Sequence, residues 1–515
     1  MLMLRRILAV LVVGICFLPV LQAHVQPKSK HGVKKAVKAV KPAQMPVTTS
    51  SVKARDLYQR AMQDYELLYL ERASIGWRAA TKEDPQFASA FAMLAMNSRD
   101  PEEMRSARER AKELAPKASA GERLMIQWIA NVQEGQDLAG IAAMNDMIAM
   151  FPRDKHVYYL AANWLMGAQG NEQAHHLLHK ALDLDPDYAA ALNNMAYLHA
   201  RTHQFGEALE DMDKYVALLP HEPNPQDSYG EVSRMAGLFD AAIEHYSAAL
   251  KIDPNFNTSQ VGLGDTYALM GAGEQARLEY DKAIQKEPNQ ANRFDYRMQK
   301  AISWVREKNY TEADRELWRV ATEAHSQSYE LQEAQALRRM AQYAADDKLA
   351  LERLASAEDA LTHRHNLSPS DRDGELASIL RVRAGRAAHA GAQETAQAAL
   401  NQLGGMAAGS RNRVILECWH GAAGEMLVAQ GKFQEAIPEL EEDQDNPETL
   451  ALLVKAYAEA GVADKSKGTE SRLRATNLPT LEQALAVNIV RGKAAGLQPA
   501  SAPAPVAAGV ADPVK

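Results

Sequence analysis

A proline returns every 34 residues through the middle of this 515-residue chain, at Pro152, Pro186, Pro220, Pro254 and Pro288. An alanine keeps the same interval at Ala174, Ala208, Ala242 and Ala276, each 12 residues ahead of a proline. A fixed period of this length marks a stacked array, in which each unit buries its apolar face only against its neighbours. The constraint is severe, because a single hydrophobic core stops growing at about 250–300 residues. An array escapes that limit. The low aromatic content, 6%, suits thin helices packed closely through small side chains.

The prolines frame units at 155–188, 189–222, 223–256 and 257–290, and each predicts two helices joined by a tight turn. Apolar or small residues recur on the first helix: Tyr158, Ala161, Ala162 and Leu165, then Leu192, Met195 and Ala196, then Leu263, Gly264 and Tyr267. The second helix repeats a small, a large and a small residue, as in Ala174, Leu178, Ala181 and in Ala242, Tyr246, Ala249 and Ala276, Tyr280, Ala283. Spacings of three and four place each set on one helical face. The proline after the second helix prevents its continuation. The turns Gln204-Phe205-Gly206, Gly237-Leu238-Phe239 and Gly271-Ala272-Gly273 predict glycines at positive φ that stop the first helix.

In period and residue class together, residues 155–290 closely resemble the tetratricopeptide repeat. One unit departs from the pattern: Tyr215 stands where its neighbours have Ala181, Ala249 and Ala283. The resemblance implies an all-α chain, a right-handed α-α superhelix of about ten to twelve helical hairpins. The domain reading that follows is a signal peptide at 1–23, a basic disordered linker at 24–53, degenerate repeats at 54–154, the regular array at 155–290, divergent helical repeats at 291–410, and further repeats with a capping helix at 411–493. A Pro/Ala-rich disordered tail closes the chain at 494–515.

In this family the inner groove is lined by the first helix of each unit. Carried onto this chain, the groove places are Tyr159, Asn163, Asn193, Tyr197, Asp227, Glu231, Arg234 and Asp265. Asparagine can both donate to and accept from a peptide backbone, and tyrosine adds apolar area with a polar tip. The carboxylates favour a basic or neutral ligand. The family's carboxylate clamp is not expected, because its cationic places hold Tyr159, Asn224 and Ser228 and the charge-assisted bonds would be missing. The implied function is a non-enzymatic scaffold that binds a protein or peptide segment.

Export is expected from Arg5 and Arg6, the apolar run Ile7 to Leu21, and the cleavage-like Leu21-Gln22-Ala23. That run, interrupted by Pro19, falls short of the ~20 apolar residues that span a bilayer. A retained membrane anchor is the lesser alternative, and Ile15 argues against lipidation of Cys16. After cleavage Cys418 is the only cysteine left, so no internal disulfide can form. Its apolar setting reads as core. Residues 1–53 hold nine Lys and Arg and no acid, so removing that +9 from the net −8 leaves −17 on residues 54–515. An acidic body disfavours nucleic acid. The basic segment could touch an anionic envelope surface, or act only as a solvated tether.

No nucleophile motif, phosphate loop, cofactor signature or metal signature stands out. His175 and His179 share a helical face, but two histidines make an incomplete metal site. His363 and His365 read as loop residues. Two other functions stay open: a self-assembly module, and an envelope hydrolase whose helical catalytic region lies at 325–490. A buried acid or histidine pair inside a pocket would favour the hydrolase.

Overall fold

The computed structural model describes residues 44–167, 170–362 and 367–492, the last five by backbone alone. The signal segment, most of the basic segment, the Pro/Ala tail, His363 and His365 lie outside the described residues. The described residues form an all-α superhelix with twenty-five α-helices and no strand. Twenty-four of the helices pair into twelve hairpins, and Leu481–Gly492 is left over. No described helix is long and apolar enough to cross a membrane.

The array falls in the register set by the prolines. Its first helices are Lys155–Gly167, Ala189–Arg201, Pro223–Met235 and Asn257–Leu269. Its second helices are Asn171–Leu184, Phe205–Leu218, Phe239–Ile252 and Gly273–Lys286, and each ends two residues before its proline. Ala174, Ala208, Ala242 and Ala276 are fully buried, as are Ala181, Ala249 and Ala283. Close approach of the helices depends on them, since a larger side chain there overpacks at a cost of about 1–3 kcal/mol. Tyr215 is accommodated because its hydroxyl accepts a hydrogen bond from Asn224 Nδ2 at 2.7 Å.

Two expectations need correction. In the 189–222 turn the residue at positive φ is His203, at 61°, while Gly206 lies inside the second helix. His203, Gly237 and Gly271 are themselves 34 apart and share this left-handed conformation. The strained place is therefore two residues before the second helix, and glycine takes it in two of these three turns. The linker boundary also moves. From residue 44 the chain is already packed on the first hairpins, where Met45 N donates to Asp154 and Thr49 Oγ1 to Asp84. Glu122 accepts from Thr48 N, Ser89 Oγ and Ser119 N at 2.7–2.8 Å. Burial works against that carboxylate, yet these donors hold its pKa below the ordinary value.

Candidate functional site

The superhelix winds tightly enough for opposite walls of its concave face to meet. Tyr65 and Glu66 end the helix Val52–Glu66, and both reach the first helix of the 155–188 unit. Asn163 Nδ2 donates to the Tyr65 hydroxyl at 2.8 Å, and His156 Nδ1 lies 2.5 Å from Glu66 Oε1. Tyr69 donates to Glu222 at 2.8 Å and meets Phe256 edge-on. Farther along, Arg99 pairs with Asp295, and Arg411 N donates to Asp137.

Of the groove residues named from the sequence, Tyr159, Asn193, Asp227, Arg234 and Asp265 are buried against the chain itself, and Asn163, Tyr197 and Glu231 are half-buried. Tyr159 is buried between Tyr65 and Tyr188. Asn163 Oδ1 accepts from Asn194 Nδ2 of the next unit at 3.3 Å. Asn193 is buried, and its side-chain oxygen has no hydrogen-bond partner among the described residues.

Four of the other five residues come together in two relays. In the first, the Tyr197 hydroxyl donates to Glu231 Oε2 at 2.9 Å, and Arg234 Nη2 donates to Glu231 Oε1 at 2.9 Å. Arg234 Nη1 then donates to the main-chain oxygen of Asn477 at 2.8 Å. In the second, Tyr280 and Gln299 donate to Asp265 Oδ1 at 2.6 and 3.1 Å, and Gln299 also donates to the oxygen of Pro479. Asp227 sits between the relays, accepting from Ser259 Oγ at 2.6 Å.

Both relays therefore end on one extended stretch of the chain's own C-terminal region. Its main-chain oxygens at Asn477, Leu478, Pro479 and Thr480 are taken in succession by Arg234, Arg306, Gln299 and again Arg306. Leu481 then packs with Ile302 and Val305. Leu481–Gly492 is helical as expected, but it does more than cap the last repeat. It also lies against the helix Gln290–Arg306, far back in the sequence.

Charges along this wall follow their surroundings. Burial pushes the Asp227 carboxyl up to about 7, with Glu231 adding to the effect. Burial also raises Asp265, against the pull of Arg234. Burial opposes the charge on Arg234, but Tyr246, Glu231 and Asp265 around it hold its pKa above the ordinary value.

The four regular units combine first helices in a 34-residue period with a small–large–small seam on the second. Residues 155–290 are similar to the tetratricopeptide repeat in period, hairpin register and seam. No family model matches the chain. It is 24% identical over 174 residues to the protein O-mannosyl-transferase TMTC1 of Mus musculus, a match covering 32% of this chain and 18% of that protein. It is 25% identical over 123 residues to a UDP-N-acetylglucosamine–peptide N-acetylglucosaminyltransferase of Giardia intestinalis, covering 24% and 8%. The matched repeats thus span less than a fifth of these relatives' length. Among solved structures, a tetratricopeptide repeat protein from Parabacteroides merdae is similar with a TM-score of 0.34 and 14% identity, covering 53% of this chain and 93% of that one. MamA gives 0.27 and 21%, covering 34% and 98%. YrrB, a repeat protein with an unusual peptide-binding site, gives 0.24 and 19%, covering 35% and 90%.

The remaining candidates are placed as follows. The His175 and His179 rings lie 4.4 Å apart, and His199 of the next repeat is 5.9 Å from His175. Among the described residues no group of three or more His, Cys, Asp or Glu could hold a metal ion. Cys418 is buried, and burial raises its thiol pKa. In the 325–490 region, Glu425, Glu448, His389 and Arg381 line a cavity of about 640 Å³. Burial raises the pKa of both carboxyls, and His389 stands 3.8 Å from Glu425. Sequence reasoning missed Gln299, Arg306 and the 477–480 stretch, because the repeat frame slips after residue 290.

Proposed function

We propose that this chain is a non-enzymatic scaffold that holds an extended segment of another protein in the concave groove of its repeats. One observation carries the reading. Arg234, Gln299 and Arg306, on helices fixed by repeat packing, hold four consecutive main-chain carbonyls of the chain's own 477–480 stretch, which supports a groove that takes an extended segment. Main-chain recognition supplies affinity whatever the side chains, and a preformed wall loses little conformational entropy on binding. The export-like N-terminus supports a site of action in the cell envelope, where the basic segment offers contact with an anionic surface.

The test is capture of envelope proteins by the mature chain and by an Asn163→Ala, Asn193→Ala, Tyr197→Ala variant of unchanged helicity. Loss of the captured partner supports the groove, whereas unchanged capture refutes it. The cavity holding Glu425 and Glu448 favours hydrolysis as a second reading. It predicts that Glu425→Gln abolishes a hydrolytic activity of the purified chain, and it fails if the chain has none.

A further inference from the structure

We propose that Thr476–Glu482 is a built-in ligand: the free chain keeps this part of its groove closed with its own segment and opens it to a partner segment of the same chemistry. The inference rests on the groove reading above and adds to it both a competitor and a partner class. Three features set that class. The partner must present consecutive main-chain oxygens to Arg234, Gln299 and Arg306. It must place an apolar side chain where Leu481 meets Ile302 and Val305. It must place a carboxylate next, where Glu482 accepts from Gln342 Nε2 at 2.9 Å in a cavity shared with Arg338 and Arg339. The partner is thus an acidic-apolar peptide that is extended over its carbonyls, turns helical at its apolar residue and lacks one main-chain donor, as this segment does at Pro479.

The docked segment has the marks of an exchangeable occupant. The bonds that hold its extended part run from groove side chains to its backbone, with one return bond from Asn477 Nδ2 to Met235 O at 3.3 Å. Gln483 ties the segment's end to itself by donating to the Thr476 oxygen at 2.9 Å. The segment follows directly on the helix Ala463–Ala475 and runs into Leu481–Gly492. Tethering gives such a segment an effective concentration of about 1 mM. A free peptide with an intrinsic affinity of roughly 10 µM therefore binds about a hundredfold more weakly while the segment is docked.

The experiment uses the full chain and a fluorescent synthetic peptide spanning Ala475–Gly492. Leu481→Asp, which puts a charge into the apolar contact of the resident segment only, is expected to remove hydrogen-exchange protection from 481–487. It should also tighten peptide binding about a hundredfold over wild type. Adding Arg306→Ala should abolish that gain. If Leu481→Asp does not fold, Leu481→Ala is expected to give a smaller gain of about tenfold. Three results would overturn the built-in ligand while leaving the groove reading standing. These are an unprotected segment in wild type, a segment still protected in Leu481→Asp, and equal peptide affinity in both chains. Segments exchanged between two copies in a wild-type dimer would overturn its intramolecular form. A released segment with no peptide binding by Leu481→Asp would refute the groove reading itself.

Discussion

Replacing Asp227 by asparagine should stabilise the centre of the array at alkaline pH and leave it almost unchanged in acid. Asp227 is buried, and its carboxyl holds its proton up to about pH 7 instead of the ordinary 3.8. With the folded pKa above the unfolded one, the native state binds more protons than the unfolded state between the two values. The carboxyl's contribution is fully present below the unfolded pKa and is lost as pH rises through the folded pKa. At 1.36 kcal/mol per pH unit, the gap from 3.8 to about 7 amounts to roughly 4 kcal/mol of penalty at pH 8. Asparagine removes the ionisation and keeps an oxygen to accept from Ser259 Oγ, now at 2.6 Å. Native-state hydrogen exchange in Pro223–Met235 and Asn257–Leu269 reads the local opening free energy of these two helices. The variant should gain up to about 4 kcal/mol over wild type at pH 8 and close to nothing at about pH 4. The same pH dependence in both chains would refute the argument.

Two further predictions concern packing. A Cβ at Gly262 would stand 2.4 Å from the Tyr246 ring, so Gly262→Ala should lose about 1–3 kcal/mol to overpacking, more than the ~1 kcal/mol that alanine gains in a helix. Denaturant midpoints check this, and the loss should shrink in a Tyr246→Leu background. Cys418, buried with its thiol pKa raised, should react with a thiol reagent only after denaturation, in a chain carrying Cys16→Ser. Labelling of the native protein would contradict its placement in the core.

Where the sequence was informative, it was so because one physical demand recurs. The seam between helices accepts only small residues, so Ala174, Ala208, Ala242 and Ala276 mark the register, and the first helices begin at 155, 189, 223 and 257 as the prolines imply. The left-handed turn residue was harder to place, because His203 takes it without the glycine that marks Gly237 and Gly271. The helices that carry the groove candidates were legible one at a time. What faces it was not, because Arg234 and Asn477 are 243 residues apart and Arg306 and Gln483 are 177 apart, with no period linking them. Likewise nothing local to Thr48 or Thr49 signals that Glu122 and Asp84 will meet them.

The polar character of these first helices explains why so many of their side chains bond to distant parts of the chain. Of the first-helix side chains, Arg234 and Asp265 are buried, and Asn163 and Glu231 are only partly in water. Each buried polar group left unpaired would cost about 1–3 kcal/mol, so partners must come from elsewhere in the chain. Tyr65 supplies one for Asn163, and the carbonyls of 477–480 supply others for Arg234, Gln299 and Arg306. A partner protein then exchanges one satisfied set of bonds for another, and the net gain is a difference between two similar terms. Selectivity in such a groove is set by how much better the incoming segment fits than the resident one. That places the decisive contacts at Leu481 and Glu482, where side chains are read, and not along the carbonyls that every extended peptide shares.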